Sequence, residues 1–267
     1  MAKDDVVKHD LTVPVHAALT DWEEEIEPIP LPRGGAHGLS ADRLKEVVPP
    51  VTTLVTDEER ITAPYRSVGK MGMITVKDTK KVGTGWVVAR RAFFTAGHCV
   101  FHPDIGGWIA QAIFLPRYNG VVEKRYIGMT AYSLKGWVED HDHAYDMGAC
   151  VITENFADTE PPLTFDTGII PALKDTAIGY PARPIPGHDF NGKRMWKCVG
   201  KLIEIKKGEQ SATNNLTDGA SGGPWCDNDS NYAVTGLNSN RENDANVLFS
   251  PLFDNGFEKL YDTVKGF

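Results

Sequence analysis

The stretch TDGASGGPWCD, residues 217–227, places one serine, Ser221, among three glycines and runs directly into a short apolar segment. A serine hydroxyl is a poor nucleophile at neutral pH unless a neighbouring base takes its proton and a third group orients that base. Glycines on both sides allow a tight turn that aims two backbone N–H groups at one oxygen. The stretch therefore indicates either a nucleophilic serine or a plain glycine-rich turn.

The order of partner residues along the chain separates the interpretations of this motif. Gly219–Gly223 fits G-x-S-x-G, the nucleophile elbow of lipases and esterases, whose triad runs Ser, acid, His. Every histidine of this chain precedes Ser221, which excludes that order and leaves the order His, Asp, Ser. The eight histidines are His9, His16, His37, His98, His102, His141, His143 and His188.

Two stretches upstream offer a base and an acid. FFTAGHCV, residues 93–100, places His98 just after an apolar strand, where the chain turns. EDHDHAYDMGACVI, residues 139–152, places Asp146 at the start of another apolar strand, where a carboxylate can be buried against a histidine. His141 and His143 are compatible with a metal pair, but a hydrated loop beside the acid is the favoured interpretation. We expect no metal and no organic cofactor.

Composition narrows the class of partner. The net charge of −8 argues against nucleic acid or an anionic membrane as the main partner, and no apolar run approaches the ~20 residues of a membrane span. The first residues, MAKDDVVKHDLTVP, contain no apolar signal-peptide core. We therefore expect either a cytoplasmic protein or a secreted one whose signal has been removed.

The chain divides at about residue 54. Residues 1–54 are acidic and then rich in proline and glycine, which is typical of a linker or of a propeptide laid over the following domain, with one short helix capped by Ser40. Residues 55–267 contain many short β-prone runs bounded by turn residues, which predicts an all-β protein built from barrels or a sandwich. A C-terminal helix is also predicted, with one apolar face formed by Phe257, Leu260, Tyr261 and Val264.

Three motifs, in their order along the chain, resemble those of chymotrypsin-fold serine proteases: TAGHC, DMGA and DGASGGP. Four further stretches are similar to the bacterial and fungal glutamyl endopeptidases: DEERITAPYRSVGKM, GTGWVV, IGYPA and MWKCVGK. The likeness spans roughly residues 55 to 260. The resemblance implies two six-stranded antiparallel barrels, at about residues 60–165 and 166–252, with the catalytic groups in the cleft between them. It also implies a mature chain that begins after a propeptide, here near Thr53–Val55.

The resemblance also implies a mechanism. Ser221 is expected as the nucleophile, His98 as the base and Asp146 as its orienting acid, with the N–H groups of Gly219 and Ser221 forming the oxyanion hole. It implies a polypeptide substrate, no cofactor, a monomer and a secreted location. Two alternatives remain: a catalytically silent binding module on the same fold, and a latent precursor whose residues 1–54 block the cleft.

The sequence departs from the family pattern at several positions. Ala220 replaces the aspartate that pairs with the new N-terminus in digestive relatives, so we expect that activation salt bridge to be missing. Leu216 and Asn238 stand where glutamate-specific members carry threonine and histidine, which weakens the expectation of glutamate specificity. Arg241 either favours an acidic side chain at the pocket mouth or is a solvated surface arginine. The predicted substrate pocket comprises Asn215, Leu216, Asn238, Ser239 and Arg241.

The four cysteines contain no C-x-x-C pair, so a thiolate zinc site is not expected. The resemblance implies a disulfide between Cys198 and Cys226. It leaves Cys99 either free and buried or bonded to Cys150, and we favour the bonded form slightly.

Overall fold

The computed structural model of the protein describes residues 2–12, 27–33, 48–167, 175–241 and 246–267. The predicted helix after Ser40 lies outside these ranges. Within them, no helix is long and apolar enough to cross a membrane.

Three short strands lie in the described parts of residues 1–54, which the sequence predicts to be a linker or a propeptide. They are β1 (Val6–Asp10), β2 (Glu27–Pro28) and β3 (Val51–Leu54). The predicted boundary after residue 54 therefore falls at the end of a strand. Removal of the segment stays a prediction.

The first half of the chain after residue 54 forms a closed antiparallel barrel. Its strands are β4 (Val68–Thr75), β5 (Lys80–Ala89), β6 (Ala92–Thr95), β8 (Gly107–Pro116), β9 (Tyr126–Leu134) and β10 (Gly148–Ile152), with a short β7 (Phe101–His102) paired to β8. They follow the order β9-β10-β6-β5-β4-β8, and a further pairing of β8 with β9 closes the ring. Phe93 and Phe114 are completely buried and their rings stack 4.7 Å apart inside the barrel. Trp86 is also completely buried, but it lies on the opposite face of β5, against Phe94 and Phe253.

The second half forms two antiparallel sheets. Its strands are β11 (Asp175–Gly179), β12 (Trp196–Gly200), β13 (Leu202–Lys206), β14 (Glu209–Thr213), β15 (Pro224–Asp227), β16 (Val234–Leu237), β17 (Asn240–Arg241) and β18 (Val247–Pro251). One sheet has the order β16-β15-β11-β12-β3 and the other the order β13-β14-β18-β17. These two sheets are called the second lobe below, and β3 makes residues 51–54 part of it.

The described chain also contains three α-helices, α1 (Gly97–Val100), α2 (Lys135–Asp140) and α3 (Asn255–Val264). Four single-turn 3-10 helices lie at Glu59–Ile61, Tyr65–Ser67, Pro103–Ile105 and His143–Tyr145. The side chain of Asp254 caps α3 by accepting a hydrogen bond from the N–H of Gly256 at 2.9 Å. Phe257, Leu260 and Val264 are buried, with the rings of Phe257 and Phe253 stacked 3.9 Å apart. The predicted C-terminal helix and all-β fold are confirmed.

The predicted disulfides are not formed, since all four cysteines are free and buried. Cys198 lies on β12 and Cys226 on β15, and β11 runs between them, with Ala177 opposite one and Thr176 opposite the other. Two strand spacings amount to about 9–10 Å, beyond the ~7 Å that a disulfide spans between Cα atoms. The prediction of a Cys198–Cys226 bridge is therefore wrong. Burial raises the pKa of the Cys150 and Cys226 thiols, which keeps them protonated.

Candidate active site

Two neighbouring strands of the barrel deliver the histidine and the aspartate to the same place. His98 lies on α1, which directly follows β6, and Asp146 lies two residues before β10. Thr95 at the end of β6 pairs with Gly148 at the start of β10, so the two side chains emerge at the same barrel end. Sequence spacing could not show this, because the two residues are 48 positions apart.

His98 and Asp146 are joined by two hydrogen bonds. The backbone N–H of His98 donates to Asp146 Oδ1 at 2.7 Å, and His98 Nδ1 lies 2.8 Å from Asp146 Oδ2. A Cβ at Gly97 would lie 2.9 Å from Asp146 Oδ1 and 2.8 Å from the Trp137 ring, so only glycine fits there without displacing a neighbour. The carboxylate therefore fixes the imidazole ring with Nε2 pointing away from it.

Ser239 adds a third contact to the carboxylate. Its hydroxyl donates to Asp146 Oδ2 at 2.5 Å. The sequence predicted Ser239 in the substrate pocket, but the structure places its side chain against the acid. Nothing in the sequence identifies this partner, because the bond spans 93 residues.

The electrostatics of this pair increase the basicity of the His98 ring. Burial alone would lower the pKa of His98 and raise that of Asp146, because it disfavours both charged forms. The attraction between the two charges outweighs burial: it raises the pKa of His98 and, with help from the Ser239 hydroxyl, lowers the pKa of Asp146. The site therefore stabilises the imidazolium that forms when His98 accepts a proton.

The loop that carries Ser221 lies against the barrel. The N–H of Thr84 on β5 donates to the carbonyl oxygen of Ser221 at 2.8 Å. Gly222 has φ +83°, and a Cβ there would lie 2.2 Å from the hydroxyl of Thr95 and 2.5 Å from the carbonyl oxygen of Thr84. Glycine at this position lets the second lobe bring Ser221 close to the end of β6, where His98 follows.

Asn238 holds the serine loop from the other side. Its side-chain amide donates to the carbonyl oxygens of Ala220 and Ile178, at 3.0 and 3.1 Å. Its side-chain oxygen accepts from Trp225 Nε1 at 2.8 Å and from Asn214 Nδ2 at 3.1 Å. Asn238 is fully buried, which corrects its prediction as a pocket residue: all of its side-chain polar atoms support the loop.

Neither Ser221 Oγ nor His98 Nε2 has a hydrogen-bond partner among the described residues. Ser221 Oγ and His98 Nε2 are both buried, and no hydrogen bond joins them to each other or to another group. Buried polar atoms without a partner are uncommon, and they cluster where chemistry takes place. Serine–base contacts are often longer without substrate and tighten once it is bound.

A cleft of about 1100 Å³ opens beside His98, and Asn215, Asp218, Arg241 and residues 29–33 form part of its wall. Asn215 accepts hydrogen bonds from Thr52 Oγ1 and, at 3.6 Å, from Cys198 Sγ. Leu216 is completely buried in the apolar cluster of the second lobe that also contains Leu31, and it does not line the open part of the cleft. Of the predicted pocket residues, Asn215 and Arg241 border the cleft.

The histidines next to the acid pack on an indole ring. His141 Nδ1 lies 3.0 Å from the carbonyl oxygen of Trp137, and the His143 ring centroid lies 5.7 Å from that of Trp137. Burial lowers the pKa of His143. In the part of the chain that the structure describes, no group of three or more His, Cys, Asp or Glu side chains is placed to hold a metal ion.

The sequence predicted, as one alternative, that residues 1–54 block the cleft, but it did not single out residues 29–33. Ile29 and Leu31 are 3% and 2% exposed, and the N–H of Gly219 donates to the carbonyl oxygen of Ile29 at 3.3 Å. The sequence signal for this segment was the alternation of prolines at positions 28, 30 and 32, because such a pattern favours an extended, preorganised chain.

Comparison with known proteins gives two curated relatives. The chain is 34% identical over 112 residues to the extracellular metalloprotease of Bacillus subtilis, covering 39% of this chain and 36% of that protein. It is 24% identical over 167 residues to the glutamyl endopeptidase of Bacillus licheniformis, covering 60% of this chain and 48% of that protein. The chain thus spans less than half the length of either relative. No family model matches.

Solved structures share the fold over most of the chain. The protease Anisep from Arthrobacter nicotinovorans superposes with a TM-score of 0.69 at 23% identity, covering 81% of this chain and 100% of the other. A Glu endopeptidase gives 0.69 at 18%, covering 81% and 97%, and the thermostable serine protease AL20 gives 0.63 at 25%, covering 75% and 97%. The chain has the chymotrypsin fold and resembles serine proteases of that fold, which supports protease function.

Proposed function

We propose that this protein is a serine endopeptidase that hydrolyses peptide bonds through Ser221, His98 and Asp146. The observation that carries the proposal is the buried His98–Asp146 pair, whose free ring nitrogen lies at the barrel end against which the Ser221 loop packs. Similarity to proteases of the same fold adds support.

In the proposed reaction, Ser221 Oγ attacks the carbonyl carbon of the scissile bond while His98 Nε2 takes the hydroxyl proton. The N–H groups of Gly219 and Ser221 stabilise the negative charge on the carbonyl oxygen. The C–N bond then breaks, and His98 returns the proton to the leaving amine. Water attacks the acyl-enzyme, and His98 again accepts and returns a proton, which restores the free serine and releases the carboxylic acid.

Asp146 supports both halves of this cycle without itself changing protonation. Its bond to His98 Nδ1 leaves Nε2 as the nitrogen that faces the reaction, and its charge raises the pKa of the ring. Ser239 and the N–H of His98 hold the carboxylate in place.

The proposal is tested by incubating the chain, before and after limited proteolysis of its N-terminal segment, with an unfolded polypeptide and identifying new termini by mass spectrometry. We expect internal peptide bonds to be cut by the wild-type chain and not by its Ser221→Ala variant. Equal cutting by both preparations would contradict the proposal, because it would show that Ser221 is not the nucleophile.

We also propose that the chain is made in a latent form, because residues from the N-terminal 54 border the cleft. Comparing the rate of peptide hydrolysis before and after limited proteolysis of that segment tests latency. Activation on cleavage supports it, and an unchanged rate contradicts it.

A further inference from the structure

Residues Ile29–Arg33, called the cleft segment below, contact the groups that the proposed mechanism assigns to substrate. The carbonyl oxygen of Ile29 accepts from the N–H of Gly219 at 3.3 Å. The carbonyl oxygen of Pro32 accepts from the N–H of Arg241 at 3.0 Å. One of the two proposed oxyanion donors is therefore engaged by the protein's own chain.

Leu31 anchors the middle of the cleft segment. Its N–H donates to Asp218 Oδ1 at 3.0 Å, and the other oxygen of Asp218 is held by Arg183 at 2.9 Å. Its side chain is 2% exposed and belongs to the apolar cluster of the second lobe that includes Leu216 and Leu248. The cleft therefore accommodates an aliphatic side chain at this point.

The direction of the cleft segment is opposite to that of a cleavable chain. His98 belongs to the barrel, so the leaving half of a substrate, C-terminal to the scissile bond, must extend towards the barrel to receive its proton. In this structure the preceding residues lie on the barrel: β2 runs parallel to β5, and the N–H of Ile29 donates to the carbonyl oxygen of Val82 at 2.9 Å.

The residues that follow Ile29 lie on the second lobe instead. Arg33 forms a parallel bridge with Arg241 on β17. A nitrogen released from the carbonyl of Ile29 would therefore face the second lobe rather than His98. That nitrogen belongs to Pro30, and alternating prolines hold this stretch extended, which reduces the entropy lost on ordering it.

We infer that the cleft is a binding site for extended peptides in which proline alternates with an aliphatic residue, held parallel to β17, and that residues Ile29–Arg33 occupy it as an uncleaved intramolecular inhibitor. This inference rests on the proposed function, because it treats the Gly219 donor as part of the reaction centre. It accounts for the burial of both reacting atoms, Ser221 Oγ and His98 Nε2.

Occupancy of the cleft is tested without any catalysis. In a Ser221→Ala chain, we expect a Leu31→Cys thiol to react with a maleimide at least ~10-fold more slowly than a Val121→Cys thiol, because Val121 is 62% exposed and the four native cysteines are buried. Equal rates for the two introduced thiols would overturn the inference.

Inhibition is tested with full-length chains that carry Leu31→Asp or Leu31→Ala. An aspartate would bring a second carboxylate to Asp218 and place a charge in the apolar cluster, so we expect peptide hydrolysis to rise by about 10- to 100-fold. The alanine variant should show a smaller rise, and the control Asp10→Asn, at the exposed end of β1, none. No rise in either Leu31 variant would overturn the inhibitory role.

A synthetic peptide of sequence EPIPLPR tests the ligand class. We expect it to inhibit the Leu31→Asp variant competitively, whereas EPIPDPR should inhibit at least ~10-fold more weakly. Equal effects of the two peptides would overturn the assigned class. If no variant hydrolyses any substrate, the proposed function fails, and protection of the Leu31→Cys thiol still decides whether the segment occupies the cleft.

Discussion

The two halves of the candidate active site hold their reacting groups in different ways. On the barrel, His98 is oriented by a buried carboxylate through two hydrogen bonds, at 2.7 and 2.8 Å. On the second lobe, Ser221 Oγ has no partner among the described residues, and its loop is fixed through the backbone by Thr84 and Asn238. Substitutions on the barrel side should change protonation, whereas substitutions on the lobe side should change geometry.

The largest effect is expected where the two halves meet. Ser221→Ala and His98→Ala should each lower kcat/KM for peptide hydrolysis by about 10⁴- to 10⁶-fold, and the double variant should lose little more, because the residues act as a unit. The rates are measured on chains whose circular dichroism matches that of the wild type. Losses that multiply in the double variant would show that the two halves act independently.

On the lobe side, Gly222→Ala should destabilise the fold strongly. The added Cβ would meet Thr95 and Thr84 at 2.2 and 2.5 Å in a backbone with φ +83°, so we expect a loss of about 3 kcal/mol or more in the free energy of unfolding. Gly187 is a matched control, since its φ is +86° but no atom lies within 4 Å of its Cβ position. Gly187→Ala should cost about 1 kcal/mol. If urea unfolding shows similar losses in the free energy of unfolding for Gly222→Ala and Gly187→Ala, the serine loop does not lie as close to Thr84 and Thr95 as the structure shows.

On the barrel side, Asp146→Asn should reduce stability in a pH-dependent way. The raised pKa of His98 gives stability that is fully present below its unfolded pKa of 6.5 and is lost as pH rises through the folded value. The lowered pKa of Asp146 gives stability that is present above its unfolded pKa of 3.8 and is lost as pH falls through the folded value. The free energy of unfolding of the wild type should exceed that of Asp146→Asn most between these two pH limits, by about 3 kcal/mol.

Urea unfolding of both chains at several pH values measures this difference. If the difference in the free energy of unfolding between the two chains does not change with pH, the charges of His98 and Asp146 do not stabilise the fold. The control is Ser239→Ala, which removes one hydrogen bond to the Asp146 carboxylate but keeps both charges. Its loss in the free energy of unfolding should therefore be smaller, and present over the same pH range.

The smallest effect is expected for reduction. All four cysteines are free, so a thiol reductant should change the melting temperature by less than about 1 °C. A fall of several degrees would indicate a disulfide that the structure does not contain, because removing one typically costs 2–5 kcal/mol.

Much of the fold and part of the candidate site could be predicted from the sequence. Turn residues between short β-prone runs identified an all-β protein, and the spacing of Phe257, Leu260 and Val264 identified α3. Chain order pointed to His98 and Asp146, because each stands where a strand begins or ends. Local patterns of this kind report on local structure.

The remaining features depend on residues that are far apart in the chain. The contacts of Asn238 with Ala220 and of Ser239 with Asp146 come from pairing of distant strands, and no local pattern encodes them. The expected Cys198–Cys226 bridge failed for the same reason, since only the sheet order shows that β11 separates the two strands. The cleft segment is likewise positioned by contacts with both halves of the molecule.

The most direct test of the central claim is covalent labelling of the nucleophile. The wild-type chain and its Leu31→Asp, Ser221→Ala and His98→Ala variants are treated with a fluorophosphonate, and the modified residue is located by peptide mass spectrometry. We predict one adduct, on Ser221, which forms faster in the Leu31→Asp variant and is lost in the other two variants. Labelling that persists in the Ser221→Ala variant, or no labelling of Ser221 in any chain, would contradict the account.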